Sequence, residues 1–319
     1  MTIQERIAAA IPEGTLRKTS LERWSERLRR ARSEAADLVE AAALLVVMTM
    51  FACLPVDWAS GLGGFIGRTA GPRLGLSRRA LRNLRQAMPK NSEAENRRIL
   101  RGMWDNLCRT VAEYPHLARI SALASGRVEI VNGQALTGLA GTAKPGILFG
   151  GHLGNWEIGS STVHRLMGAS VISVYRATNN PWVDALMRRF HRTRRAVPKG
   201  SEGGRELVRQ LRQGGSIAML VDQKQNDGIA VPFFSRDAMT APAVARLGYR
   251  FGCPIIPVRF ERLAGARFRC TVMSPIEVAG TGDAARDLLA TMTRVNAMLE
   301  AWIRARPEQW LWIHSRWPA

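Results

Sequence analysis

Apolar residues recur at helical spacing along the first 120 residues of the chain. In the segment LSRRALRNLRQAM, Leu81, Leu84 and Met88 occupy positions i, i+3 and i+7, and arginines fill several of the positions between them. Ser92 and Glu95 stand at the spacing of a capping box, which predicts that another helix begins there. The pattern therefore predicts a helical region over residues 1–120.

An uncharged apolar run, AAALLVVMTMFACLPV, interrupts this charged pattern from Ala41 to Val56. The run contains 16 residues, whereas a helix needs about 20 apolar residues to cross a bilayer. The basic helical segment before it has the composition of an interfacial anchor. We predict a membrane-associating helix, either monotopic or a single N-terminal anchor, with a buried core helix as the alternative. The charged N-terminus also predicts that there is no cleavable signal peptide.

The pattern changes after residue 127 to short apolar runs that alternate with amphipathic segments. The runs predicted as strands are RVEIVNG, GILFGG, VISVYR, SIAMLVD, CPIIPVRFER and RFRCTVMSPIEV. Alternation of strand and helix predicts an α/β fold with a mixed, mostly parallel sheet flanked by helices. The chain is thus predicted to consist of a helical, membrane-associating region, 1–120, and an α/β body, 121–319.

The chain is strongly basic, and this narrows the choice of partners. Lys and Arg total 46 residues against 26 Asp and Glu, which gives a net charge of +20. Such a field favours nucleic acid, anionic membrane surfaces or acidic partners. No recognised nucleic-acid-binding signature occurs, and aromatic residues make up only 7% of the chain. We therefore expect no nucleic-acid partner, and a basic nucleic-acid-binding protein is the weaker alternative.

The cysteines do not suggest a metal site. Cys53, Cys108, Cys253 and Cys270 form no CxxC pair, and none lies at metal-ligand spacing from a histidine. We therefore predict no metal, and the cysteines are interpreted as small buried residues of a reducing compartment.

The stretch GGHLGNWEIG, from Gly150 to Gly159, is the clearest candidate for catalysis. His152 follows the predicted strand GILF, and ligands of α/β sheets bind beyond the carboxyl ends of strands. Asn155 is placed to cap the next helix, with Glu157 in its first turn. A carboxylate that accepts one ring N–H leaves the other nitrogen as a general base. We predict that His152 and Glu157 form such a pair; a purely structural pair is the alternative.

Further candidates for substrate binding follow two other predicted strands. Arg176 ends VISVYR, and Asp222 and Gln223 follow SIAMLV. Arg189 and Arg192 lie in the basic segment that follows Arg176. Guanidinium groups suit bidentate contacts with phosphate, so we predict that these arginines contact an anionic substrate. A structural turn is the alternative for Asp222, and a solvated basic surface for Arg189 and Arg192.

Four stretches together resemble a known family. GGHLGNWEIG resembles the H-x4-D/E motif of glycerolipid-type acyltransferases. It is followed, in the order that the family shows, by VYRATNNPWVDALM, MLVDQKQNDGIAVPFF and PEQWLWIHSRW. The combination resembles the lipid A biosynthesis acyltransferases of the lauroyl and myristoyl type, over roughly residues 40–317. Members of that family often carry glycine where Ser235 stands here.

The resemblance implies a reaction and its partners. An acyl group would move from an acyl-carrier-protein thioester to a hydroxyl on a 3-hydroxyacyl chain of a phosphorylated lipid A precursor. His152 would remove the proton of that hydroxyl and Glu157 would orient the ring, with no metal or organic cofactor. The enzyme would work at the anionic cytoplasmic face of the inner membrane. Lysophospholipids, glycolipids and aminolipids stay open as other acceptors, and an inactive membrane scaffold is the remaining alternative.

Overall fold

The computed structural model describes residues 20–317 except Ala143, residues 191–194 and Ala279, with side chains described from Glu34 onward. Its first elements are helices: α1 (Ser20–Ala52), α2 (Val56–Ala70), α3 (Leu76–Ala87), α4 (Glu93–Glu113) and α5 (Leu117–Ile120). The predicted capping box is confirmed at the start of α4, where Ser92 and Glu95 each bind the backbone N–H of the other.

Strands and helices alternate along the rest of the chain. The helices are α6 (Gln134–Ala140), α7 (Trp156–Met167), α8 (Pro181–Phe190), α9 (Ser201–Arg212), α10 (Ala243–Phe251) and α11 (Ala284–Ala305). The strands are β1 (Val128–Val131), β2 (Ile147–Gly150), β3 (Val171–Tyr175), β4 (Ala196–Pro198), β5 (Ser216–Leu220), β6 (Lys224–Phe233), β7 (Arg236–Thr240), β8 (Ile255–Ala264) and β9 (Arg267–Val272).

Within the described residues, seven strands form one sheet in the order β1-β9-β8-β2-β5-β3-β4, while β6 and β7 form a separate antiparallel hairpin. Neighbouring strands of the large sheet run parallel, except that β8 and β9 are antiparallel. The predicted α/β fold with a mostly parallel sheet is therefore confirmed. The six predicted strands correspond to β1, β2, β3, β5, β8 and β9, whereas the pattern does not predict β4 or the β6–β7 hairpin.

Helices α3 and α4 share a hydrophobic core with the sheet. Leu84 of α3 and Trp104 of α4 lie in the same buried cluster as Phe149 of β2 and Trp302 of α11. The rings of Phe149 and Trp302 stack with their centroids 6.0 Å apart. Residues on both sides of position 120 therefore share one hydrophobic core.

Helix α1 continues the apolar run toward the N-terminus. Its segment Glu34–Ala52 has 19 residues and a mean hydropathy of 1.9, and only 6% of its most apolar window is buried. By length and composition this segment is able to cross a membrane. The uncharged run of 16 residues lies mostly within this longer helix. The sequence pattern therefore underestimated the length of the apolar helical segment.

The β6–β7 hairpin turns through two residues in the left-handed conformation. Phe234 has φ 53° and Ser235 has φ 57°, between the paired residues Phe233 and Arg236. Two consecutive left-handed residues make a type I′ turn, which matches the twist of the flanking strands. A residue with a Cβ atom is disfavoured there, which gives a physical reason for glycine at the position of Ser235.

Candidate active site

Two parallel strands bring His152 and Asp222 together. In the register of β2 and β5, Gly150 lies opposite Leu220, and each of the two side chains follows two residues later. The Nδ1 atom of His152 lies 2.7 Å from Oδ1 of Asp222. The backbone N–H of His152 also donates to Oδ2, at 2.9 Å. The carboxylate therefore holds both the ring and the backbone of the histidine.

Asp222 is a buried carboxylate that stays ionised. Its side chain is fully buried, and the indole Nε1–H of Trp310 donates to Oδ2 at 2.7 Å. Burial alone would raise the pKa of Asp222, but the charge and hydrogen bonds of His152, with that of Trp310, lower it well below its ordinary value. An ionised carboxylate accepts the Nδ1 proton, so the lone pair of the ring lies at Nε2.

The pKa of His152 is raised, which strengthens the ring as a base. Burial opposes the charged imidazolium and lowers the pKa, but the charge of Asp222, its hydrogen bond and the charge of Glu157 outweigh burial. The ring is therefore able to accept a proton at Nε2 and to keep the resulting charge within a compensating field.

Gln223 and a second histidine lie at the Nε2 atom of His152. The side-chain nitrogen of Gln223 is 3.2 Å from Nε2 of His152 and 3.2 Å from Nε2 of His314. An amide NH2 group has two protons, so it is able to donate to both rings when both Nε2 atoms are unprotonated. Burial, and then the charges of His152, Arg176 and Arg79, lower the pKa of His314 to about 4. His314 is therefore neutral at neutral pH.

Glu157 lies in the first turn of α7, as the sequence predicts, with its carboxylate against Tyr114 and Trp156. Asn155 caps α7 as predicted, and its Oδ1 accepts from the backbone N–H of Glu157 and Ile158, each at 3.2 Å. Oε1 of Glu157 accepts from Oη of Tyr114 at 3.1 Å and from Nε1 of Trp156 at 3.0 Å. The carboxylate at Nδ1 of His152 is that of Asp222, because β2 and β5 are neighbours in register.

The turn between β2 and α7 is fastened by polar contacts behind the site. Gly154 has φ +56°, a conformation that glycine adopts without strain. The side chain of Asn155 donates to Oε2 of Glu113 at 2.7 Å, and Ser60 donates to Oε1 at 2.7 Å. Nη2 of Arg262 donates to Oε2 of Glu113 at 3.1 Å. This buried network joins α2, α4 and β8 to the turn that carries His152.

An amphiphilic cavity of about 770 Å³ opens at this edge of the sheet. His152, Glu157, Gln223 and His314 lie in its wall. Its lining includes the apolar residues Leu148, Val163, Val174, Ala218, Val258 and Phe260. The basic residues that line it are Arg176, Arg188, Lys199 and Lys224. A cavity with this lining suits a molecule that combines an apolar chain with an anionic group.

The structure brings together most of the predicted site residues. His152, Glu157, Arg176 and Gln223 line the cavity, and Asp222 lies behind the ring of His152. Arg189 is exposed on α8 and is not among the cavity-lining residues. Arg192 lies outside the residues that the structure describes.

Sequence reasoning missed His314 and Trp310 as partners of the site. Both belong to the stretch PEQWLWIHSRW, the last of the four stretches that resemble the family. Their contacts with Gln223 and Asp222 span 91 and 88 positions, so local spacing carries no signal of them. Among the residues with described positions, no group of three or more His, Cys, Asp or Glu side chains is arranged to hold a metal ion.

Comparison with known proteins identifies the family. No curated protein matches the sequence. A family model described as bacterial lipid A biosynthesis acyltransferase matches residues 32–319, which is nearly the whole chain. This agrees with the resemblance seen in the four motifs, two of which contribute the paired side chains at the cavity. The chain therefore belongs to the bacterial lipid A biosynthesis acyltransferase family.

Proposed function

We propose that this acyltransferase moves a fatty acyl group from an acyl-carrier-protein thioester to a hydroxyl on a 3-hydroxyacyl chain of a lipid A precursor. Membership of the family supports acyl transfer and a lipid A precursor as acceptor. The observation that carries the mechanism is the pair formed by His152 and Asp222. Buried Asp222 holds Nδ1 of His152, and the ring lies in the wall of an amphiphilic cavity.

The proposed reaction begins with proton transfer to Nε2 of His152. The acceptor hydroxyl loses its proton as its oxygen attacks the thioester carbonyl, which forms the new C–O bond. The tetrahedral oxyanion then collapses, the C–S bond breaks, and the imidazolium returns its proton to the leaving sulfur. Asp222 stays ionised throughout and stabilises the imidazolium, as carboxylates of this type do. The acceptor oxygen is itself the nucleophile, so no covalent intermediate on the enzyme is required.

Gln223 is proposed to exchange partners when the acceptor binds. Its amide nitrogen occupies the hydrogen-bonding position at Nε2 of His152, which the acceptor hydroxyl needs. Once displaced, the amide N–H lies beside the reacting carbonyl and is available to the oxyanion, where one donor contributes about 100- to 1000-fold in rate. His314 keeps the amide in reach through its own Nε2.

We propose that some charged groups of the cavity contribute to catalysis and that others bind the substrate. Glu157 adds a negative charge that favours the imidazolium, since its charge raises the pKa of His152. Arg176, which lines the cavity and acts electrostatically on His314, is placed to contact an acceptor phosphate. Arg189 and Arg192 are proposed as outer contacts for anionic headgroups.

The enzyme is proposed to be anchored at the cytoplasmic face of the inner membrane by residues 1–120. The support is the exposed apolar segment Glu34–Ala52 and the net charge of +20. A basic protein attracts anionic lipid and acidic carrier proteins through long-range electrostatics. The donor thioester would then arrive from solution, and the acceptor from the bilayer.

The test measures the mass of the product. Purified full-length enzyme in detergent micelles is given acyl-carrier proteins charged with chains of several lengths and a tetraacylated lipid A precursor. The proposal predicts a product heavier by one acyl group, with none formed by folded His152→Ala. If only a lysophospholipid were acylated, the proposed acceptor would be wrong, but the proposed acyl transfer would stand. Transfer by His152→Ala at the wild-type rate would overturn the mechanism.

A further inference from the structure

Helix α2 presents large apolar side chains to solvent. Trp58, Leu62, Phe65 and Ile66 follow the spacing of one helical face, and they are 73%, 43%, 54% and 45% exposed. An apolar stripe of this kind normally faces a protein core. The part of the chain that the structure describes leaves this stripe uncovered. We refer to these four residues as the α2 stripe.

The opposite side of α2 fixes the direction in which the α2 stripe points. Gly67 packs so closely on α4 that an added Cβ atom would lie 2.1 Å from the carbonyl oxygen of Trp104. Ser60, two positions after Trp58 and therefore on the other side of the helix, donates to buried Glu113. Rotation of α2 to bury the stripe would break both contacts, so the stripe is held outward by the fold.

Exposed apolar side chains also occur on α1, close to α2 along the chain. Only residues 53–55 separate the two helices, and Leu45, Val46 and Met50 of α1 are exposed. Exposed apolar surface on a monomer marks a contact site for a partner or a membrane. The α2 stripe therefore adds a second exposed apolar surface to that of α1.

The charges around the α2 stripe favour a lipid surface over a protein partner. Asp57, beside Trp58, is paired with the guanidinium of Arg127 at 2.8 Å. Beyond the far end of the stripe, Arg73, Arg78 and Arg82 are exposed, and no ion pair to them occurs among the described residues. Tryptophan is favoured at the membrane interface, and each basic residue near an anionic surface adds about 1 kcal/mol of attraction.

Helix α1 contacts the segment that leads into a helix of the cavity wall. The side chain of Asn180, just before α8, donates to the backbone oxygen of Asp37 in α1 at 2.8 Å. Helix α8 in turn supplies Met187 and Arg188 to the cavity lining. The helix with the longest exposed apolar segment is therefore joined to an element of the cavity wall.

We propose that α2 is a second membrane-contact element, whose stripe inserts into the surface of an anionic bilayer next to α1. The apolar side chains enter the acyl region, and the arginines beyond the stripe stay at the lipid phosphates. Two contact elements restrict the orientation of the enzyme on the bilayer more than α1 alone would. The inference rests on the proposed function for its acceptor, but the contact itself is measurable without any turnover.

The first test locates Trp58 in the membrane. Full-length protein is reconstituted into anionic vesicles whose phospholipids carry bromine on the acyl chains, and tryptophan fluorescence is compared with Trp58→Phe. The expected result is that bromine removes a fraction of the wild-type emission that Trp58→Phe lacks. Equal quenching of the two proteins overturns the proposal. Dimerisation in sedimentation that a stripe variant abolishes also overturns it, because a second copy would then cover the stripe.

The second test separates orientation from catalysis. The triple variant Leu62→Ser, Phe65→Ser, Ile66→Ser is compared with Leu289→Ser, a single change on α11 of a leucine as exposed as Leu62. With acceptor embedded in vesicles, the triple variant is expected to lose at least roughly tenfold in kcat/KM. Burial of even one large apolar side chain contributes a factor of about that size to membrane binding. In detergent micelles both variants should match the wild type. Equal activity of the triple variant on vesicles contradicts the proposal, whereas wild-type inactivity in micelles contradicts only the proposed function.

Discussion

The ring of His152 is held by a carboxylate that comes from another strand. Asp222 lies 70 positions away, yet its two oxygens contact the ring and the backbone N–H of the histidine. Glu157, five positions away, contacts Tyr114 and Trp156 and acts on the ring through its charge. We therefore assign orientation of the ring to Asp222 and propose an electrostatic contribution for Glu157.

The pH dependence of kcat/KM should report the titration of His152. The ring must be unprotonated to act as a base, and its pKa is raised, so activity is lost as the pH falls through that raised value. Glu157→Gln removes a negative charge that favours the imidazolium, so the acid limb should move to lower pH. A pH–rate profile in micelles measures the shift.

His314 provides an internal check on that profile. Its pKa is about 4, so it should not titrate in the range where His152 does, and the acid limb should have the slope of a single group. An acid limb of Glu157→Gln that moves to higher pH would contradict the electrostatic role of Glu157.

The sequence could predict which side chains lie at the ends of strands, but it could not predict which of them contact each other. Apolar runs place His152, Arg176 and Asp222 at strand ends, and the structure puts them at one edge of the sheet. Which carboxylate meets the ring depends on β2 and β5 being neighbours, and strand order is not encoded in periodicity. The contact of His314 with Gln223 depends on the same long-range packing.

At the scale of elements, a buried ion pair fastens the catalytic turn to the helices. Removing the charge of Glu113 leaves Arg262 buried without its partner, and breaking such a pair costs about 3–5 kcal/mol. Glu113→Gln should lower the free energy of unfolding by that order, measured by urea denaturation in micelles. It should also lower acyl transfer, because Asn155 of the turn donates to the same carboxylate.

The matched control for this change is Glu129→Gln. Glu129 pairs with Arg269 at 2.9 Å, but the two side chains are 50% and 39% exposed. An exposed pair contributes little because solvent screens it, so this variant should unfold almost as the wild type does. Equal destabilisation by the two changes would refute the importance of the buried network.

The β6–β7 hairpin allows a stabilising change. Ser235 is held at φ 57°, and the left-handed conformation costs a residue with a Cβ atom about 1–2 kcal/mol. Ser235→Gly should therefore raise the melting temperature by about 2–4 °C, measured by the thermal unfolding of the full chain in micelles. Ser235→Ala keeps the Cβ atom and should give no gain. A lower melting temperature for Ser235→Gly would show that the turn is not strained.

The elements themselves were predicted where an apolar run forms a buried strand. Ile147 to Gly150 and Ser216 to Leu220 are short, mostly apolar runs bounded by glycine or polar residues, and both are strands. The hairpin was missed because β6 begins with the polar residues KQND, and its burial comes from packing on α11. Strand β4 has only three residues, too few for a periodic signal.

At the scale of the whole molecule, exposed apolar helices are combined with a strongly positive net charge. The net charge of +20 was readable from composition, but the α2 stripe was not. Periodicity shows that α2 is amphipathic, yet only the packing of Gly67 against α4 shows that its apolar side faces outward. The proposed enzyme, which would take its acceptor from a membrane and its donor from solution, needs such a surface.

The proposed mechanism requires that Asp222 fix the tautomer of His152, and one comparison of variants tests this requirement directly. The rate kcat of acyl transfer in micelles is measured for the wild type, His152→Ala, Asp222→Asn and the exposed control Asp227→Asn. Loss of a carboxylate that fixes the histidine tautomer lowers kcat by about 10⁴-fold in a comparable triad. We predict a loss of that order for Asp222→Asn, close to that of His152→Ala, with Asp227→Asn unchanged. Folded Asp222→Asn that works within tenfold of the wild-type rate would contradict it.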